Sequence, residues 1–469
     1  MQRFFLFLIL IPQFMLAQQP DTTRIEPPDE VQELIEDFLQ NTDSEGAFDF
    51  NTLFEQLEDF RNNPINLNRA DEAILRDLGL LTDAQILDFL SYKQQMGELI
   101  SIYELQAIPG FDLPTIRRIL PFVTVKGDVD DYQIPLRQML ASGRHEMYLR
   151  WSRVLEKQKG FTTSETGASR YLGDPNQLYF RYRHAYGTRL SYGITGEKDR
   201  GEEFFRGSNP NGFDFYSAHF FIRDYNKNVR AIALGDYAVS FGQGLMLYTG
   251  FGIGKSSSPM TVKRSGRVLR PYTSANEVNF FRGAATTLAF GKNVETTVFT
   301  SFRGRDANLI APNDTLESDI EIRSFTSFDL DGLHRTPTEI ADKNALQQFT
   351  LGGNLKFSGR YGHIAVNALF DQFDKTLKIN QRPYNRFYFS SDRLLNTSVD
   401  YSYLWRNFNF FGETAMSDNG AIATINGLLI GLDRKVDLAV LHRYFPRDYQ
   451  ALNANPFAET TGARNEQGL

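Results

Sequence analysis

The stretch Leu395–Trp405, LNTSVDYSYLW, decides the fold. Leu395, Thr397, Val399, Tyr401, Tyr403 and Trp405 take one side of a two-residue repeat, and Asn396, Ser398, Asp400 and Ser402 take the other. A strand turns successive side chains to opposite faces, so one face here is apolar and aromatic and the other polar. The same alternation recurs from about His145 onward. Leu178, Phe180 and Tyr182 interleave with Arg181 and Arg183. Phe349, Leu351, Gly353, Leu355 and Phe357 alternate with Gln348, Thr350, Asn354, Lys356 and Ser358. Phe408 and Phe410 stand against Asn407, Asn409 and Glu413, and Val436, Leu438 and Val440 against Asp437 and Ala439. Each segment runs about 9 to 12 residues, the length a tilted strand needs to cross a bilayer. A soluble β-sandwich is the competing reading, but its strands centre nearer ~5–6 residues. The pattern predicts an antiparallel transmembrane β-barrel over 142–469, apolar outside and polar inside.

Bulk composition agrees. The 469 residues include 40 Phe and 21 Tyr but only 2 Trp, an aromatic excess that suits strands. With no cysteine there is no disulfide, no thiolate metal site and no cysteine nucleophile. The formal charge of −7 argues against a globally basic nucleic-acid binder. Met1-Gln2-Arg3, the apolar run Phe4–Leu16 and Ala17 read as a secretory signal over 1–17, which places the rest of the chain outside the cytoplasm.

Between signal and barrel the period changes to that of a helix. Residues 18–62 form an acidic helical arm: Val31, Leu34, Ile35, Phe38 and Leu39 share one face, and Thr52 with Glu55 makes a capping box. Residues 63–126 form a small all-α domain, followed by a linker over 127–141. Asn68 is the expected N-cap of its first helix, Thr82 with Gln85 caps the second, and Ser101 with Glu104 the third. Pro114 suits a helix start.

This domain resembles the tandem helix-hairpin-helix module of competence-type DNA receptors. The resemblance is carried by the Ile65–Ala70 opening, the Leu78–Leu81 turn, the Ile108–Gly110 turn and the closing Leu120–Val125. It implies DNA as a ligand, with Gly79 and Gly110 letting backbone N–H groups approach a phosphate and Arg117 and Arg118 beside the second turn. The chain departs from that pattern at Leu81, where a second glycine belongs, and at Asp112, a carboxylate where phosphate would approach. Acids outnumber bases across 65–125, whereas phosphate binding needs a surplus of Lys and Arg. Docking within the periplasm is the alternative use of the module. The segment around Ala233–Ser256 also resembles stretches of exported Bacteroidetes-type barrels that carry such modules.

Lys255, Lys263, Arg264, Arg267 and Arg270 make Lys255–Ser274 a basic connection, open either to an anion or to inward carboxylates of the lumen. Gly250–Ser256 ends in Gly-Lys-Ser but lacks the spacing of a phosphate-binding loop. His145, His184, His219, His334, His363 and His442 are scattered singly, and no catalytic or metal-ligating motif surrounds them. The chain stops at Asn465–Leu469 without a terminal aromatic strand, so a barrel incomplete at the C-terminus, with an open seam, is expected. The sequence therefore predicts a non-enzymatic outer-membrane envelope protein with a periplasmic hairpin module and no cofactor. Its expected partners are membrane lipid, with DNA or a periplasmic protein as ligand of the module.

Overall fold

The computed structural model describes residues 60–61, 64–125, 134–162, 170–249, 262–264, 266–309, 324–359, 361–379, 382–383, 385–433, 436–459 and 463–468. The expected signal, nearly all of the acidic arm, Lys255 and the Gly250–Ser256 stretch lie outside them.

The hairpin region begins and ends on a parallel pair, β1 (Ile65–Asn66) with β2 (Val123–Thr124), which ties its two ends together. Between them run α1 (Glu72–Leu78), α2 (Asp83–Met96), a 3-10 turn (Ile102–Ala107) and α3 (Leu113–Ile119). Both capping boxes form as their sequences predict, Thr82 with Gln85 and Ser101 with Glu104. The first cap is a correction: Asp71, not Asn68, accepts from the Ile74 N–H at 2.8 Å. Asn68 is drawn away because its amide pairs with both backbone groups of Leu99, at 2.9 and 2.8 Å. Leu75, Leu78, Ile86, Phe89, Leu105, Ile119 and Phe122 close an apolar core. After α4 (Leu136–Ala141), within the stretch expected as linker, the chain enters the sheet.

The remainder is mostly antiparallel sheet with few helices. Its strands are β3 (Arg144–Arg153), β4 (Asn176–Tyr186), β5 (Leu190–Lys198), β6 (Phe215–Arg223), β7 (Val229–Val239), β8 (Leu269–Pro271), β9 (Phe281–Phe290), β10 (Val294–Arg305), β11 (Ala307–Leu309) and β12 (Ser324–Phe328). After α5 (Pro337–Asp342) come β13 (Leu346–Gly359), β14 (Gly362–Phe373), β15 (Thr376–Leu377), β16 (Arg393–Trp405), β17 (Phe408–Ser417), β18 (Ile422–Asp433), β19 (Val436–Phe445) and β20 (Glu466–Gly468). Fifteen of them form one sheet in near-sequential order from β3 to β20, with β8 added on β7. β11, β12 and β15 make a separate small sheet. Among the described residues no ladder joins β3 to β19 or β20, so the pairing leaves two edges.

Both faces follow the sequence alternation. On β16, Asn396, Ser398, Asp400 and Ser402 are buried, while Leu395, Val399, Tyr403 and Trp405 are 42–53% exposed. Because opposed residues share a face, the buried polar row continues through neighbouring strands: Thr350 faces Asp371, and Asn354 faces Asn367, which faces Ser398. The row is hydrogen-bonded within itself. Asn367 donates to Asp400 at 2.7 Å, and Gln348 and Thr350 donate to Asp371 at 2.7 and 2.6 Å. Phe349, Leu351, Leu355, Phe357, Ile364 and Val366 point the other way and are exposed. A sheet with its polar face buried and its apolar face open is inverted relative to a water-soluble fold.

Connections differ at the two ends of the sheet. At one end β4–β5, β6–β7, β9–β10, β13–β14, β16–β17 and β18–β19 turn over two to five residues. At the other, apart from the short β17–β18 turn, the chain makes long excursions, including 154–175, 199–214, 306–345 and 374–392.

Candidate functional site

The cations of the Lys255–Ser274 connection meet the acids of the hairpin region. Lys263 is buried; its Nζ lies 2.6 Å from Glu72 Oε1 and 3.0 Å from Ser402 Oγ on the inward face of β16. Glu72 also accepts from Arg76, one turn along α1, at 2.9 Å. Arg267 Nε lies 3.5 Å from Asp77 Oδ2, and Arg223, at the end of β6, reaches Asp71 at 3.3 Å. Arg270 adds to the field at Asp77. Burial alone would raise the Glu72 carboxyl, but Lys263 and Arg76 hold it well below the ordinary carboxylate range. Burial pushes the Lys263 ammonium down to about 8, with Glu72 opposing. Arg223 and Ser402 lie near the short-turn end, so α1 sits at that mouth.

Arg264 serves a different contact. Its side chain donates to the Asn455 carbonyl at 3.2 Å and its backbone N–H to Gln243 at 2.9 Å. It thereby joins two segments folded against the inward sheet face, 240–249 and 446–458. Glu413, inward on β17, accepts the Gln243 and Leu245 N–H groups at 2.7 and 3.0 Å. The Tyr449 hydroxyl donates to the Leu245 carbonyl at 3.0 Å, and Leu245, Phe445, Tyr449 and Phe457 pack with Ala415, Ala423 and Ile425 of the wall. This part of the interior is occupied by the chain itself.

The positions expected to face DNA are not gathered with these cations. Gly79 and Gly110 both have positive φ, 70° and 78°, and each makes a tight hairpin turn. A Cβ at Gly110 would meet Asp88 at 3.0 Å. Asp112 caps α3, accepting from the Thr115 N–H at 2.9 Å, and its bonds to Thr115 hold its carboxyl below the ordinary value. The carboxylate thus occupies the helix end where a phosphate would lie. Arg117 and Arg118 are exposed.

A second cluster, at the long-loop end, has no counterpart in the sequence reading. His334 Nδ1 is 2.6 Å from Asp214 and Nε2 3.1 Å from Asp306, while its backbone N–H donates to Glu202 at 3.0 Å. Lys343 bonds Asp214 at 2.7 Å. Burial opposes a charge on the imidazole, but the two aspartates push it up to about 10. Burial and Asp214 push Glu277 up to about 9. Ligand atoms of Glu202, Asp214 and His334 lie within 4.8 Å of one another, as do those of Glu277, Asp306 and His334. Both ring nitrogens are already engaged, so a cation would have to displace the imidazolium proton. No local motif announces the group, since Glu202 and His334 are 132 positions apart.

No protein-family model matches the chain, and no curated protein matches it. Among solved structures, one mutant of Rh. blastica porin is 12% identical with a TM-score of 0.21, over 57% of this chain and 84% of that one. A second Rh. blastica porin mutant is 13% identical with a TM-score of 0.21, over 61% and 87%. A loop-deletion mutant of OmpT, an outer membrane protein of Vibrio cholerae, is 9% identical with a TM-score of 0.23, over 64% and 93%. At such TM-scores the likeness carries no weight for the fold or function of this chain.

Proposed function

We propose that the chain is an outer-membrane β-barrel protein that holds a helical hairpin module against its periplasmic mouth. The inverted sheet carries this reading: exposed Leu, Val, Phe and aromatic rows outside, hydrogen-bonded Asn, Asp, Ser and Thr within. In water the exposed rows would drive aggregation, whereas in lipid they are matched and the buried polar row satisfies itself. Bacterial barrels keep short turns on the periplasmic side and long loops outside. α1 meets the short-turn end, which agrees with a periplasmic module. Heat-modifiable gel mobility of the purified full-length protein, together with outer-membrane fractionation, tests the reading; identical mobility before and after boiling sinks it.

Within that frame the module works by docking, in a non-enzymatic protein. Asp71, Glu72 and Asp77 are the acids that weaken a phosphate surface, and they answer Arg223, Lys263 and Arg267 of the barrel. DNA binding during uptake, the second reading, rests on the family resemblance and on exposed Arg117 and Arg118. Duplex DNA titrated against the full-length protein across a salt series separates the two. Phosphate contacts give an affinity that falls steeply with salt, strengthened by Asp112→Gly and weakened by Arg117→Ala with Arg118→Ala. No binding at low salt ends the DNA reading.

A further inference from the structure

The two sheet edges carry an inference that rests on the membrane reading. Setting aside the three-residue strands β8 and β20, thirteen strands of the fifteen remain, each antiparallel to its neighbours. An odd count makes the first and last run the same way: β3 and β19 both start at the short-turn end. They cannot pair antiparallel with each other, and bacterial barrels close with even numbers of antiparallel strands. Among the described residues β3 is paired only with β4, and β19 from Val436 to His442 only with β18. At each edge every second residue turns its N–H and C=O away from its partner, and such groups cannot stay unpaired in lipid.

We propose that the seam between β3 and β19 receives one β-strand of a partner polypeptide, amphipathic and antiparallel to both edges. β20 shows the geometry on a small scale. Its three residues run antiparallel to β19 at the long-loop end, with Arg443 opposite Gly468 and Phe445 opposite Glu466. Glu466 meets the Arg443 guanidinium on the inward side. On β3 the outward Met147, Leu149 and Trp151 are 66–69% exposed, more than the 42–53% of outward residues on the flanked strand β16. They lack cover on one side, and apolar outward side chains on the incoming strand would supply it. The inward row Arg144, Tyr148 and Arg150 continues into Arg181 of β4, with Glu146 as its acid, so inward carboxylates on the strand are favoured. A second copy of the chain does not fit, because its edges in the same membrane would run parallel to these.

The test uses the full-length protein folded in lipid nanodiscs and an eleven-residue synthetic peptide that alternates leucine with threonine and glutamate. A control peptide of the same composition has no alternation. Amide hydrogen exchange of Glu146–Trp151 is read with and without each. The alternating peptide should slow exchange at every second amide about tenfold or more, and the control should not. Arg150→Glu should cut the effect of the acidic peptide and favour a lysine-bearing version. Edge amides already protected without peptide, equal protection by both peptides, or no protection by either would overturn the proposal. Heat-modifiable mobility, read on the same sample, keeps the outcomes apart: its loss sinks the membrane reading, and its persistence with an indifferent β3 sinks only the seam.

Discussion

The hairpin module and the barrel wall come from one chain but bury opposite chemistry. In the module Leu75, Ile86, Phe89 and Ile119 are inside and charged side chains outside, the arrangement water selects. In the wall Asn367, Asp371, Asn409 and Glu413 are inside, and Leu351, Val399 and Trp405 outside. The solvent differs, and with it the meaning of an exposed leucine. The boundary between the two regimes is where Glu72 and Asp77 meet Lys263 and Arg267, charge on charge rather than core on core.

The sharpest way to break the comparison is to damage one region and ask whether the other notices. Phe89→Ala removes a buried ring from the module and should cost about 4 kcal/mol there. Heat-modifiable mobility should survive, while limited proteolysis should cut within 64–125. Loss of both would show that the module and the wall fold as one unit. Leu351→Arg places a charge mid-strand on the lipid face and should cost about 3 kcal/mol of barrel stability in bilayers. Denaturant titration in lipid vesicles reads it; a loss as small as for a surface change in a soluble protein would argue that Leu351 does not face lipid.

Glu72→Ala leaves Lys263 buried without its carboxylate. The expected loss of docking is about 2–3 kcal/mol, below the ~3–5 of fully buried pairs because Glu72 retains some solvent contact. A double-mutant cycle with Lys263→Met should recover much of it; additive effects would mean the two groups do not couple. The pH dependence follows from the same pair. Glu72 is depressed below its ordinary 4.5, so its contribution is complete above that pH and fades only as pH falls through the folded value. Protease protection of the module should therefore be level from about pH 5 to 7 and decline only in stronger acid. A decline already at pH 5–6 would point to another group. The smallest effect is Thr82→Ala, about 1 kcal/mol through loss of the α2 cap, visible in the melting of the module alone.

These regions also differ in how far their sequence could be read. Thr82 with Gln85 and Ser101 with Glu104 act over three residues, so their caps were legible. Asn68 was misread because its partner, Leu99, lies 31 positions away. Lys263, Arg264, Arg267 and Arg270 were visible as a basic run, but not the carboxylates and carbonyls they reach. Lys263 and Glu72 are separated by 191 positions. His334 was one of six scattered histidines until three connections brought Glu202, Asp214 and Asp306 around it.

What the sequence determined by itself is the alternation in LNTSVDYSYLW and its companions, hence extended strands with one apolar and one polar face. That information is local, because a strand's two faces follow from its two-residue period. Only the tertiary structure decided which face is buried, that β3 and β19 run the same way, and that the acids of α1 are paired with the barrel. Each of these depends on register and strand direction summed over many pairings, which no short window contains.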